Sequence, residues 1–149
     1  MEGIKRILVV SRDTKYCRKA VHYGISLAWK YEAELSVLHV VDDSINLEGT
    51  KVGEYEENLR TTREALTATI TAENEKGLKI KELVKEGYPA TEICKVVKDE
   101  QIDLLILLAH AEGHLEHFLF GRSNDEIVRK TPCSILIVKK EPGPAGVQA

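Results

Sequence analysis

The chain has 149 residues, 43% apolar and 30% charged, with a net charge of −3. That length suits one domain with a core of useful size, and the mild acidity argues against a nucleic-acid binder, which needs a concentrated basic face. No apolar run approaches the ~20 residues of a membrane span.

The amino terminus MEGIKRILVV lacks the apolar stretch and small-residue cleavage site of a signal peptide. Cys17, Cys94 and Cys133 are odd in number and far apart, so no disulfide framework is implied. They lie in apolar patterns and read as small core residues. A cytoplasmic chain is expected.

Arg6–Val10 (RILVV) is a short β-branched run and a candidate buried strand. In the following segment Cys17, Ala20, Val21, Gly24, Leu27, Ala28 and Tyr31 recur at three- and four-residue spacing, which lines one helix face. Trp29 and Tyr31 are expected to pack against the sheet. Leu35–Val41 is a second strand, followed by a polar loop, DDSINLEGTKVG. Glu54–Lys76 carries a sparse apolar stripe of Tyr55, Leu59, Leu66 and Ile70, which predicts a long helix with much of its surface in water. Leu78, Ile80 and Leu83 stand among charged residues as a partly exposed strand. Pro89 opens the next helix, where proline is tolerated in the first turn. DLLILLA is apolar almost throughout, as a strand covered on both faces must be. SNDEIVRK predicts a helix, Ser134–Lys140 the last strand, and the Pro/Gly-rich residues 141–149 a disordered tail.

Strands alternating with helices imply parallel pairing and right-handed crossovers. The expected fold is α/β: a Rossmann-like three-layer sandwich, one domain over residues 1–140, with a five-stranded, mostly parallel sheet and helices on both faces. Ligands of such sheets bind beyond the carboxyl ends of the strands, where strand order reverses. If the first and fourth strands are neighbours there, the loop at Ser11–Thr14 and the loop after Leu108 face the site.

LAWKYEAELSVLHVVD, VKEGYPATEI, DLLILL and GRSNDEIVRKTPCSILIVKK, in this order and at this spacing, give the chain its resemblance to the universal stress protein family, covering roughly Lys5 to Lys139. The resemblance implies a stress-response module without enzymatic activity, acting as an antiparallel homodimer through its last strand, with Ile135 and Ile137 on that edge. Its protein partner is not named by the sequence, and neither membrane nor nucleic acid is expected.

ATP-binding members carry, after the fourth strand, Gly, two residues, Gly, nine residues, then Gly followed by Ser or Thr. Glycine lets the backbone approach phosphates, and the hydroxyl and helix N-terminus donate to them. Here those positions fall on Leu108, Ala111, Gly121 and Arg122, so Gly121 alone matches. Gly113 substitutes for a missing glycine if the loop shifts by two residues. Arg12 stands where such members place an Asp against adenine, with Asp13 one residue late, and Val40 belongs to the same set by position. The expectation is therefore no cofactor and no tight ATP binding. The alternative is an adenine-nucleotide sensor, taking ATP or AMP on a rearranged loop. A nucleotide hydrolase is the third reading, disfavoured because no P-loop or positioned base is present.

Ser123 with Glu126 has capping-box form, and a well-capped helix is the plainer reading. The sharper one is a weak anion site at that helix N-terminus, with Arg122 adding a forked donor. His110, His114 and His117, with Glu112 and Glu116 between them, would share a face on a continuous helix, but Gly113 interrupts it. Exposed, metal-free loop histidines are expected, because zinc ligands must converge tetrahedrally. His22 and His39 read as packing or hydrogen-bonding residues, and no catalytic residue is assigned.

Overall fold

The computed structural model describes residues 3–12, 18–41, 52–108 and 125–139. Chain order is β1 (Arg6–Arg12), α1 (Arg18–Tyr31), β2 (Glu34–Val41), α2 (Val52–Glu75), β3 (Ile80–Glu86), α3 (Pro89–Asp99), β4 (Leu104–Leu108), α4 (helical at 125–130) and β5 (Ser134–Val138). The strands form one sheet in the order β3-β2-β1-β4-β5, and all four pairings are parallel. The chain winds outward from β1 to β3, then returns to lay β4 and β5 on the other side. This is the α/β sandwich expected from the alternation of strands and helices.

Side chains alternate across a strand, so the sheet has two apolar faces. Ile7, Val9, Leu35, Val37 and Ile106 meet Ala20, Val21, Ile25 and Ala28 of α1 and Leu66 and Ile70 of α2. Leu8, Leu38, Val40, Leu105 and Leu107 meet Ala90, Ile93, Val96 and Val97 of α3 and Ile127 of α4. The run LLILL of β4 supplies both faces, which is why it shows no polar alternation. The outer strand β3 buries Ile80 and exposes Lys81, Val84, Lys85 and Glu86.

Gly24 lets α1 lie directly over β1. A Cβ there would come within 2.5 Å of Val9 Cγ2 and 3.2 Å of Leu35 Cδ1. Helix and strand therefore pack at a separation no other residue permits.

The structure corrects the sequence reading at several points. The buried stripe of α1 includes Ile25, which sits four residues after Val21 and three before Ala28. Tyr31 is instead 49% exposed, because α1 ends there and Glu32, at φ 54°, turns the chain into β2. Trp29 is 43% exposed, and its Nε1 donates to Glu73 Oε1 at 3.0 Å, tying α1 to α2. Cys94 and Cys133 are half-buried rather than fully enclosed. Burial raises the Cys133 thiol pKa above its ordinary value, and Cys94 Sγ lies 3.5 Å from Thr131 Oγ1. Cys17 and the tail 141–149 lie outside the described residues.

Candidate functional site at the carboxyl end of the sheet

Strand order reverses between β1 and β4, which are hydrogen-bonded neighbours. The site expected from topology therefore opens above the carboxyl ends of β1, β2 and β4. Arg12 is the last residue of β1 and stands opposite Val40 of β2 in the ladder. Val40 is buried against the α3 face. Leu108 ends β4, pairs with Val138, and packs half-buried on the α1–α2 face. The fold thus brings Arg12, Val40 and Leu108, distant in sequence, to one end of the sheet. Asp13, Ala111, Gly121, Arg122 and Ser123 lie outside the described residues, as do Gly113, His110, His114 and His117. Among the described residues no three His, Cys, Asp or Glu side chains are placed to hold a metal ion.

The rim of the site is built by two further links. Gly87, at φ +146°, donates its N–H to the Val41 carbonyl at 3.0 Å, which folds the β3–α3 turn onto the end of β2. The hydroxyl of the next residue, Tyr88, donates to Glu126 Oε1 on α4. Lys130 reaches Glu126 Oε2 at 3.4 Å. The Tyr88 hydroxyl, and then Lys130, hold the Glu126 carboxyl below its ordinary pKa. Glu126, expected to reach back to its own helix start, is engaged by α3's entry turn and by its own helix.

Two further residues at this end had no site role of their own in the sequence: Ser11, expected to open the facing loop at Ser11–Thr14 but found inside β1, and His39 of β2. Ser11 and His39 face each other in the β1–β2 register, and both are 0% exposed. Ser11 Oγ and both ring nitrogens of His39 lack a hydrogen-bond partner among the described residues. Burial, and then the positive charge of Arg63 on α2, lower the His39 pKa from 6.5 to about 4. The imidazole is therefore neutral at pH 7. Their sequence signal was slight: Ser11 follows the apolar run of β1, and His39 lies inside that of β2. His22, by contrast, is exposed on α1.

A cleft of about 1030 Å³ opens at the opposite end of the sheet, lined by Arg6, Trp29, Glu34, Lys79, Lys81 and Glu100 among others. Its charges are largely matched to each other: Arg6 Nε lies 2.9 Å from Glu34 Oε2, and Lys81 Nζ 2.6 Å from Glu100 Oε1. It sits at the amino ends of the strands, where parallel sheets do not place ligands.

The parallel five-stranded order with a β1–β4 reversal accords with a family match. Residues 3–139 fit the model of the universal stress protein family. The chain belongs to that family. A universal stress protein of Methanocaldococcus jannaschii is 28% identical over 140 residues, spanning 91% of this chain and 82% of the relative. UspA of Lactobacillus plantarum superposes with a TM-score of 0.67 at 20% identity, over 93% of this chain and 99% of that one. A universal stress protein of Archaeoglobus fulgidus, solved in complex with dAMP, superposes with a TM-score of 0.61 at 11% identity, over 93% of this chain and 100% of that one. At those identities the two solved structures bear on fold alone.

As a universal stress protein the chain is recognisable by its sheet and helices. No described helix is long and apolar enough to cross a membrane.

Proposed function

We propose that this universal stress protein is a non-enzymatic, cytoplasmic stress-response module that works as a homodimer and does not bind ATP tightly. The observation that carries the reading is Leu108. It ends β4 with a half-buried side chain packed into the core, at the position where the ATP-binding motif of the resembled family needs bare backbone. Arg122 stands where a small hydroxyl would meet phosphate, and Arg12 where an acid would meet adenine. Losing one hydrogen bond to a charged group costs about 1.5–3 kcal/mol, and two such losses amount to roughly a hundredfold or more in affinity. Calorimetry with ATP and AMP at moderate salt tests this. Weak, salt-sensitive heats are expected, since Arg122 attracts phosphate by charge. A low-micromolar dissociation constant abolished by Gly121→Val would instead favour the adenine-nucleotide sensor, the reading suggested by the dAMP complex of the Archaeoglobus relative.

The dimer reading rests on the contrast between the two sheet edges. On β3, exposed Lys81, Lys85 and Glu86 discourage strand addition. On β5, Ile135 is half-buried and Ile137 is 47% exposed, so that edge presents apolar surface for a second copy. Sedimentation at micromolar concentration is expected to give a dimer, and Ile137→Lys a monomer. A monomeric mass for the unmodified protein overturns this part.

A further inference from the structure

Ser11 and His39 form an enclosed polar pair whose side chains have no hydrogen-bond partner among the described residues. They stand side by side on adjacent strands of a parallel ladder, where strands run about 4.8 Å apart. By alternation both side chains project to the face carrying Ile7, Val9, Leu35 and Val37. Both residues are 0% exposed, and three polar atoms between them lack partners among the described residues. A directly bonded Ser–His pair would satisfy two of those atoms, yet the side chains do not bond each other. Buried polar groups in native proteins are almost always hydrogen-bonded, to protein or to ordered water.

We infer that Ser11 Oγ and a ring nitrogen of His39 bind one internal water molecule that bridges the ends of β1 and β2. The chemistry of the pair selects water. A serine hydroxyl both donates and accepts, and a neutral imidazole offers one N–H and one bare nitrogen. A bridging molecule must therefore combine donor and acceptor in a small volume. Val9, Val37 and Leu108, on the same face of the sheet, are apolar, and the positive charge of Arg63 acts on His39, so a cation is disfavoured. Internal waters commonly hold about three hydrogen bonds to otherwise unsatisfied groups.

The position gives the water a purpose. Ser11 and His39 immediately precede Arg12 and Val40, which stand opposite each other in the ladder toward the carboxyl ends of β1 and β2. A bridge beneath them fixes the spacing of the two strand ends that present those residues. This inference does not depend on whether a nucleotide binds.

A crystal structure of the full chain at a resolution that shows ordered solvent is the test. One water within about 2.7–3.2 Å of both Ser11 Oγ and a His39 ring nitrogen is expected. A direct Ser11–His39 hydrogen bond, or a bond from either residue to another protein group with no water between them, overturns the inference. Ser11→Ala deletes the hydroxyl without adding bulk, and its crystals are expected to lose the water while His39 keeps its place. A water retained unchanged in that variant also overturns the bridge. Should Ser11→Ala fail to fold, the unmodified structure still decides.

Discussion

At the amino end of the sheet the Asp103 carboxylate accepts from the backbone N–H groups of Lys5 and Arg6, each at 2.9 Å. Arg6 in turn reaches Glu34 at 2.9 Å and Gln101 at 3.2 Å. At the carboxyl end Ser11 and His39 are fully enclosed and unpartnered among the described residues. One end spends its polar groups on holding strands together in water; the other buries them unspent. The lesson concerns cost. Exposed bonds at the amino end can be replaced by water and so contribute modestly, whereas enclosed groups at the carboxyl end are sensitive to any change in charge or partner.

Acid should expose this difference most. His39 has an ordinary pKa of 6.5, lowered to about 4 in the fold. Above pH 6.5 the ring is neutral in both folded and unfolded chains and imposes no pH dependence. Between pH 6.5 and about 4 the unfolded chain takes up a proton that the folded chain resists, so stability falls with pH. At about 1.4 kcal/mol per pH unit, the loss approaches 3 kcal/mol by pH 4. Urea unfolding at pH 7, 5.5 and 4 should show it, and His39→Phe should flatten that part of the profile. An unchanged profile in His39→Phe would mean that other groups carry the acid sensitivity.

The reach of the sequence follows the same division. β1, β2 and β4 were legible because apolar runs of that length and β-branching have few alternatives, and Gly24 was legible as part of a helix stripe. The convergence of Arg12, Val40 and Leu108 was legible once β1 and β4 were taken as neighbours, since topology fixes which strand ends share a site. The isolation of His39 was not. Whether a buried imidazole finds a partner depends on the Ser11–His39 register and on α2, neither of which is local in the chain. The Tyr88–Glu126 bond, spanning 38 residues, was hidden for the same reason, and the exposed Tyr31 turned on where α1 stops, which periodicity leaves open by a residue or two.

The second effect in size is expected at the amino end. Asp103→Ala removes the acceptor of two backbone N–H groups. Both bonds are exposed, so water takes over part of their role, and a loss of roughly 1–2 kcal/mol is expected. Chemical denaturation at pH 7 measures it. A loss well above 3 kcal/mol would erase the contrast between the ends, because it would show Asp103 acting as an enclosed group.

The smallest effect should come from the Arg6–Glu34 pair. Its side chains are 44% and 75% exposed, so water and salt screen the attraction and ordering two long side chains offsets much of what remains. Arg6 keeps Gln101 as an acceptor when Glu34 is changed, and its backbone stays anchored by Asp103. Glu34→Gln should therefore cost under about 1 kcal/mol, with the difference from the unmodified protein vanishing in 1 M salt. Because glutamine keeps the side-chain length and one carbonyl oxygen that can accept from Arg6 Nε, while losing the negative charge, the variant tests mainly charge. A cost above about 2 kcal/mol that persists in high salt would place this pair in a low-dielectric setting, and the amino end would then resemble the carboxyl end rather than oppose it.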